Sequence, residues 1–345
     1  MTAVARQPRQ IDYIELKHRV SGAGLLERQV SYHTTKVLLT FAMYAGGIAL
    51  IAVLRNPWLL ALDALFLAFA FTQIAFLAHS AGHKQILPGG RWNDAFCLVF
   101  MNLFLGGSAG WWIEKHNLHH GNPNHVDLDP DISLPVIAFS REQAVTKHGI
   151  ARLIVKYQAF LFVPLLTFEY YSLRAASFKY LVLGRSKRGV LESTAMALHY
   201  PLYFGFVIWQ LGLVGALGFL ALQQGLTGVY VGLSFAPNHK GMPLLDEGCD
   251  LDFVRRQVVT SRNLTKNRVS DYLFGSLATQ IEHHLFPTMA QNNVRKADPI
   301  VKEFCLERSI PYHETGLFAA FREILLHLHD AGTPLRRPKS YAGSP

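Results

Sequence analysis

STAMALHYPLYFGFVIWQLGLVGALGFLALQQGLTGVYVGLSFAPNH occupies positions 193–239 and contains no Asp, Glu, Lys or Arg. Its 47 residues are more than twice the roughly 20 that a helix needs to cross a bilayer. The run therefore predicts two spans, about 195–215 and 218–238, with a tight turn near Gly212 to Gly218, where three glycines punctuate it. Nearer the N-terminus the pattern recurs. Val37 to Leu54 is uncharged, Arg55, Asn56 and Pro57 interrupt, and Trp58 to Ala78 is apolar except for Asp63. These give spans of about 37–54 and 58–78. Core helices of a soluble protein are the competing reading, but they seldom run so long. Ala95 to Ile113 is also uncharged, yet its glycines and terminal Trp111-Trp112 suit an interfacial or re-entrant segment better than a fifth span. Tyr157 to Phe168 is shorter still.

The expected architecture is an all-α integral membrane protein with four transmembrane helices in two hairpins and a cytoplasmic helical cap. Residues 1–36 form an N-terminal cytoplasmic segment, 37–330 the membrane domain and 331–345 a flexible tail rich in Pro, Gly and Arg. Across 345 residues, 50% are hydrophobic and 17% charged, and mean hydropathy is +0.18. Such values exclude a disordered chain, a coiled coil and a nucleic-acid-binding arm. Three cysteines exclude a disulfide scaffold. The net charge of +9 is distributed unevenly: of 33 Lys and Arg residues, only Arg55 falls at a hairpin tip. Positive residues favour the cytoplasmic side, which places both termini and the polar segments there.

Sixteen histidines are plentiful for this length, and their spacing carries the functional reading. His79 and His83 lie in HSAGH, His116, His119 and His120 in HNLHH, and His283 and His284 in QIEHH after Gln280. Spacings of three and four residues share one helix face. Three such clusters beside apolar segments point to metal ligation rather than to solvated faces. One tetrahedral zinc takes three or four protein ligands, fewer than the set offers. Two metals with three or four nitrogens each would use all of them, and imidazole suits iron, copper, zinc or nickel. Iron is the candidate whose oxygen chemistry fits this placement. His239, in APNHKG at the end of the last span, is an expected eighth ligand.

The set HSAGH, HNLHH and QIEHHLFP around two apolar hairpins resembles the integral-membrane fatty-acid desaturases. HHGNPNHVDLDPDI at 119–132 and QIEHHLFPTM at 280–289 are more closely similar to the front-end, linoleoyl-CoA-type branch, and the likeness includes IPYHET at 310–315. It implies that His79, His83, His116, His119, His120, His283 and His284, with His239, hold two non-heme iron ions that use O2 as co-substrate. Gln280 stands where related branches have a histidine and is expected to hold a metal-bound water or to hydrogen-bond a ligand from behind, and Ser80 stands where many members have Asp. Asp127, Asp129 and Asp131 are candidates to orient imidazoles, with helix-capping aspartates as the plain alternative. His125 in the same loop reads as a surface residue or a support behind the ligands rather than a ligand, and Asp63 has no assigned role.

The substrate implied is a long-chain acyl-CoA or acyl-lipid. The related alkane and carotenoid hydroxylases share the histidine pattern and are the competing enzyme reading. A metal transporter is the competing class, but it would place polar ligands near the midplane. The nearest string to the heme motif of fused cytochrome b5 domains is Leu87-Pro88-Gly89-Gly90, which lacks the histidine. Electrons are therefore expected from a separate acidic carrier, ferredoxin or cytochrome b5 with its reductase. Arg255, Arg256, Arg262, Lys266 and Arg268 offer a basic docking patch, with a solvated or lipid-headgroup-facing surface as the plain alternative, and His18, His33, His148, His199, His313, His327 and His329 read as interfacial or solvated.

Overall fold

In the computed structural model, residues 8–336 are described, and they are mostly helical. A short helix, α1 (Pro8–Gly22), precedes two long apolar ones, α2 (Val30–Val53) and α3 (Pro57–Gly82). The entry to α3 is built from sequence signals. Pro57 sits at the first helical position, and the Asn56 side chain accepts from the N–H groups of Trp58 (2.9 Å) and Leu59 (3.3 Å).

The Ala95–Ile113 stretch does not run as one helix. α4 (Gly90–Leu98) passes into a π-helical turn, Val99–Phe104, and then bends by 115° into α5 (Ala109–Gly121). Buried Glu192 accepts from Ser108 Oγ (2.5 Å) and from the N–H of Gly110 (3.1 Å), which sets an anion at the α5 N-terminus, where the helix dipole favours it. Shorter helices follow: α6 (Arg141–Val145), α7 (Gly149–Lys156), α8 (Gln158–Leu166) and α9 (Glu169–Val182).

Next, α10 (Gly189–His199), a π-helical stretch Tyr200–Gly205, and α11 (Phe206–His239) form one apolar run of 51 residues. It breaks at Gly212, whose φ of 67° and ψ of 169° suit glycine and no helix. In a straight helix Tyr203 and Gln223 would stand about 30 Å apart. Instead Tyr203 Oη donates to Gln223 Oε1 at 3.1 Å, so the run folds back on itself. Arg174 closes the same hairpin, reaching His199 at 2.8 Å on one arm and Gln224 on the other.

Ile51, Leu67, Phe71, Ile74, Tyr203, Val207 and Phe219 form the core between these long helices. Their outer faces stay apolar and uncovered, with Leu38, Leu62, Trp209, Val214 and Leu217 all exposed. So large an exposed apolar belt needs a lipid surface to cover it. Among the described residues three helices, counting the folded run as one, are long and apolar enough to cross a membrane, or up to five if each bent helix pair is one span.

The remaining helices form a polar-faced layer at the other end: α12 (Phe253–Val259), α13 (Arg268–Phe274), α14 (Gln280–Leu285), α15 (Gln291–Glu307), α16 (Leu317–Ala331) and α17 (Thr333–Arg336). Leu16 and Val20 of α1 join its core with Val258, Ile281, Val294 and Phe304. The expected tail starts later than residue 331, because α17 packs Leu335 against Ala138, Ala144 and Val155. Residues 337–345 of that tail, and 1–7 of the N-terminal segment, lie outside the described residues. His33 and His199, expected at interfaces or in solvent, are buried.

Candidate metal centre

Three helix C-termini converge at the junction of the apolar helices and the polar layer. His79 occupies the last turn of α3 and His83 its C-cap; His116, His119 and His120 lie on the last two turns of α5; His239 ends α11. Unpaired carbonyls give each of these ends a partial negative charge that favours a cation. α3 and α5 meet closely because Gly82 has no side chain: a Cβ there would lie 2.3 Å from Trp112 Cζ3. The six-residue α14 brings Gln280, His283 and His284, all buried. It is held from behind by the IPYHET stretch. Tyr312 Oη donates to Glu282 Oε1 (2.9 Å), Asn263 Nδ2 donates to Glu282 Oε2 (2.7 Å), and Asn263–Leu264 pairs in parallel with Glu314–Thr315.

The eight histidines divide into two nests. His79, His83, His116, His120 and His283 bring one ring nitrogen each within 4.8 Å of one another, and His119, His239 and His284 do the same. The nests abut where His120 and His284 stack at 4.1 Å.

In the three-histidine nest the outer nitrogens decide the tautomers. His119 Nδ1 lies 3.0 Å from both oxygens of Asp129, His239 Nδ1 2.9 Å from the Thr260 carbonyl, and His284 Nδ1 2.7 Å from Gln257 Oε1. Each oxygen accepts only, so each Nδ1 carries the proton and each Nε2 a lone pair. Those three Nε2 atoms face each other: His239 Nε2 is 3.2 Å from that of His119 and 3.0 Å from that of His284. Converging lone pairs without a proton between them repel, and a bound cation turns that repulsion into ligation. Gln280 Nε2 approaches the same point, 3.0 Å from His239 Nε2, while its Oε1 has no hydrogen-bond partner among the described residues.

The five-histidine nest is less supported. His83 and His120 each direct Nε2 at His116 Nε2, at 2.8 and 3.1 Å. His79 Nε2, His120 Nδ1 and both nitrogens of His283 are buried with no hydrogen-bond partner among the described residues. Buried polar atoms rarely stay unpaired. A metal ion would satisfy those that point inward, so both donor sets fit nitrogen-liganded metals. Burial, reinforced by the charge of Lys84, pulls the His83 imidazole down to about 3. Burial likewise holds His116, His120, His283 and His284 well below the usual histidine range. These rings are neutral at physiological pH, the form that binds metals.

Of the three loop aspartates, Asp129 is buried and also accepts from the N–H groups of Asn124 (2.7 Å) and Asp131 (2.9 Å). Asp131 Oδ2 lies 3.5 Å from His119 Nδ1, and its other oxygen pairs with Lys115. Asp127 is exposed and does not reach the nests. His125 also stays outside them, its Nδ1 accepting from the N–H of Asp127 at 3.3 Å. Asp63 is buried in α3, and neither of its oxygens has a hydrogen-bond partner among the described residues. Gln257, the Thr260 carbonyl and Asn124 are contacts that no sequence motif marks. The expected basic patch does not form as drawn: Arg262 is fully buried, bonding Glu323 (2.7 Å) and the Lys240 carbonyl, and Arg255 pairs with Asp12 and Asp252.

Beside the nests lies a cavity of about 170 Å³. His116, His119, His239 and Gln280 contribute to its wall, which is otherwise largely apolar, with Phe162, Leu166, Leu173, Val231 and Phe235.

A helical scaffold with an apolar belt and eight clustered histidines that could hold metal ions narrows the class of protein, and sequence comparison narrows it further. The family model for fatty acid desaturase matches residues 56–316, about three quarters of the chain. The chain belongs to the fatty acid desaturase family. It is 32% identical over 330 residues to the acyl-lipid (9-3)-desaturase of Physcomitrium patens, covering 92% of this chain and 62% of that protein. It is 29% identical to the Delta(6)-fatty-acid desaturase fat-3 of Caenorhabditis elegans, over 90% of this chain and 72% of the relative. With Delta(8)-fatty-acid desaturase 1 of Arabidopsis thaliana it shares 27% identity, over the same shares. The chain thus spans under two thirds of the moss relative's length. Its apolar helices and its family together make it a membrane protein.

Proposed function

We propose that this chain is an O2-dependent desaturase of long-chain fatty acyl substrates that uses two iron ions and electrons supplied from outside. The observation that carries the reading is the pair of imidazole nests opening onto an apolar cavity, within a chain of the desaturase family. His79, His83, His116, His120 and His283 would hold one ion, and His119, His239 and His284, with Gln280 beside them, the other. When bound, the iron pair supplies the oxidising power, with O2 and two electrons, that removes hydrogens from neighbouring carbons of the acyl chain. The protein's share is placement. Asp129, Gln257 and the Thr260 carbonyl fix the ring orientations, as acceptors behind metal-bound imidazoles do. An alkyl chain offers no polar handle at the reacting carbons, so the cavity walls must place it by shape and exclude water.

In this reading four spans, α2, α3 and the two arms that meet at Gly212, cross the bilayer, and the nests, the helical cap and both termini face the cytoplasm. Residues 37–330 make up the membrane domain. The electron carrier docks on that cytoplasmic face. Two experiments test the reading. Gas chromatography–mass spectrometry of lipids from a host expressing the chain should show a new double bond that His283→Ala abolishes; an unchanged lipid profile, or a hydroxylated product, would overturn it. With Cys249 replaced by Ser, single cysteines at Lys84 and Glu247 should react with an impermeant thiol reagent from one side and a cysteine at Arg55 from the other. Labelling of Lys84 and Glu247 from opposite sides would break the topology.

A further inference from the structure

A second cavity, of about 190 Å³, lies between the N-terminal end of α2, the end of α13 and the start of α15. One water molecule needs only roughly 15 Å³ of such space. The cavity is separate from the one beside the nests: Ser276 and Thr279 line this one, Leu277 and Gln280 the other, so the segment after α13 divides them. Its wall is polar. The hydroxyls of Tyr32, Ser276 and Thr279 make no hydrogen bond to a described residue. Gln291 Oε1 accepts from Lys36 Nζ (2.5 Å), which leaves the Gln291 amide N–H groups for a ligand. Gly275 admits that amide, since a Cβ there would lie 2.1 Å from Gln291 Nε2. Arg295 Nη2 donates to Asp271 Oδ1 (2.5 Å), while the other Asp271 oxygen accepts from no described residue.

The depth of this cavity follows from the contacts of α13. Tyr230 Oη donates to the Leu273 carbonyl at 2.6 Å, and the Tyr272 and Phe69 rings lie 6.1 Å apart. Tyr230 precedes His239 by nine residues and Phe69 precedes His79 by ten. At about 1.5 Å per residue these contacts lie about 14–15 Å from the nests, toward the middle of the apolar helices. On α13 itself Val269 is 64% and Tyr272 61% exposed, and Lys266 and Arg268 at its start are exposed too. Apolar and aromatic side chains at that depth, with cations beside them, suit a helix lying in the headgroup zone of a bilayer. The cavity behind it therefore opens where lipid headgroups lie.

The balance of charge selects the headgroup. Arg295 is matched by Asp271 and, at 3.8 Å, by Asp298, while Lys36 is turned to Gln291. A phosphate drawn into the cavity would lose its water and face the Asp271 carboxylate with no uncommitted cation in the wall. A sugar ring instead brings neighbouring hydroxyls, each able to donate and accept. They match three hydroxyls, amide donors and one carboxylate oxygen.

We propose that this cavity holds the uncharged, polyhydroxylated headgroup of a bilayer lipid, a hexosyl diacylglycerol, clamped between α13 and α15 and apart from the acyl substrate. Tyr32, Ser276 and Thr279 hydrogen-bond the sugar, Asp271 accepts from one of its hydroxyls, and Val269 and Tyr272 lie against the lipid's chains. The inference needs the membrane placement alone and not the desaturase reading.

The probes are glucosyl dioleoylglycerol, dioleoylglycerol, dioleoylphosphatidylglycerol and methyl glucoside, offered to the full-length protein in a sugar-free detergent and read by native mass spectrometry. Wild type should bind the glucosyl lipid about tenfold or more tighter than either other lipid, since each hydrogen bond is worth roughly two- to tenfold. Tyr32→Phe combined with Ser276→Ala removes two hydroxyls without filling the cavity and should erase most of that preference. Ser276→Phe, which fills it, should erase all of it, and Lys266→Gln, outside the cavity, should leave it unchanged. A diazirine on the sugar should label peptides of α2, α13 or α15. Methyl glucoside has the hydroxyls but no chains to bury, so it should compete only at about a hundredfold higher concentration or above. Equal affinity for the free glycoside would assign the cavity to a soluble sugar and overturn the lipid. Equal binding of all three lipids, tighter binding of phosphatidylglycerol, or a preference unmoved by both the double variant and Ser276→Phe overturns the site.

Discussion

The two nests are made from the same side chain but differ in what stands behind it. In the three-histidine nest every outer nitrogen meets an oxygen: Asp129 behind His119, Thr260 behind His239, Gln257 behind His284. In the five-histidine nest His120 Nδ1 and both nitrogens of His283 find no hydrogen-bond partner among the described residues, and His116 and His120 are only half-buried. One nest has its tautomers and ring planes set by the fold before any ion arrives. The other leaves several rings to be set by the ion itself. Preorganisation lowers the ordering cost of binding, so the three-histidine nest should owe more of its affinity to groups that never touch the metal.

The largest effect should ignore this difference. His83→Ala in one nest and His284→Ala in the other should each abolish unsaturated product and lower bound iron. His148→Ala, at an exposed position, should do neither. Product retained in one nest's variant and lost in the other's would mean that only one nest serves the chemistry.

The next effect should separate the nests. Asp129→Ala removes the carboxylate behind His119 and should weaken one of two metals by about 10–100-fold, the usual cost of losing an acceptor behind a ligating imidazole. Titration with a chelator should then turn from one step into two. Asp129→Asn, which keeps an acceptor oxygen, should fall between. A single step, with both metals weakened alike, would show that the nests act as one site.

Gln257→Ala should cost less, about tenfold in the same titration, because a neutral amide is the weaker partner. Its Nε2 also donates to the His120 carbonyl at 2.9 Å, so it ties the nests together. Gln257→Glu should restore the acceptor behind His284 but not that tie. If Gln257→Glu matches wild type, the tie contributes nothing.

The ligand-type residues were legible because helical spacing is local: three or four residues apart means one face. How they divide was not. His119 joins His239 and His284, while its neighbours His116 and His120 turn to the other nest. Which side of a shared face meets which partner depends on how α5, α11 and α14 cross, and no spacing records that. The outer acceptors were hidden for a related reason. The Thr260 partner is a backbone carbonyl, which has no sequence signature, and Gln257 sits in FVRRQVV with nothing to mark it. Arg262 misled in the opposite direction: a charge expected at the surface is buried because it ties the end of α11 to α16. The hairpin fold of residues 189–239 was legible from length alone, whereas its break at the first glycine of the three is a backbone angle.

The smallest effect tests whether burial, rather than residue type, chooses the supporting acid. Asp127 and Asp129 lie two residues apart in the same DLDPD string, and both were candidates to orient an imidazole. In an extended segment two residues would place them on one side, but here the chain turns tightly after Asn124, whose φ is 57°. The N–H of Asp129 reaches back to the His125 carbonyl at 3.0 Å, which carries Asp129 inward and leaves Asp127 in solvent. An exposed carboxylate that touches no ring interacts with the metal site only through water and salt, where a charge at this range is largely screened. Asp127→Ala should therefore change iron affinity and product yield by less than about twofold, since a surface substitution seldom moves more than a few tenths of a kcal/mol. A loss comparable to that of Asp129→Ala would mean that the loop's acidic charge as a whole, and not the buried contact with His119, supports the three-histidine nest.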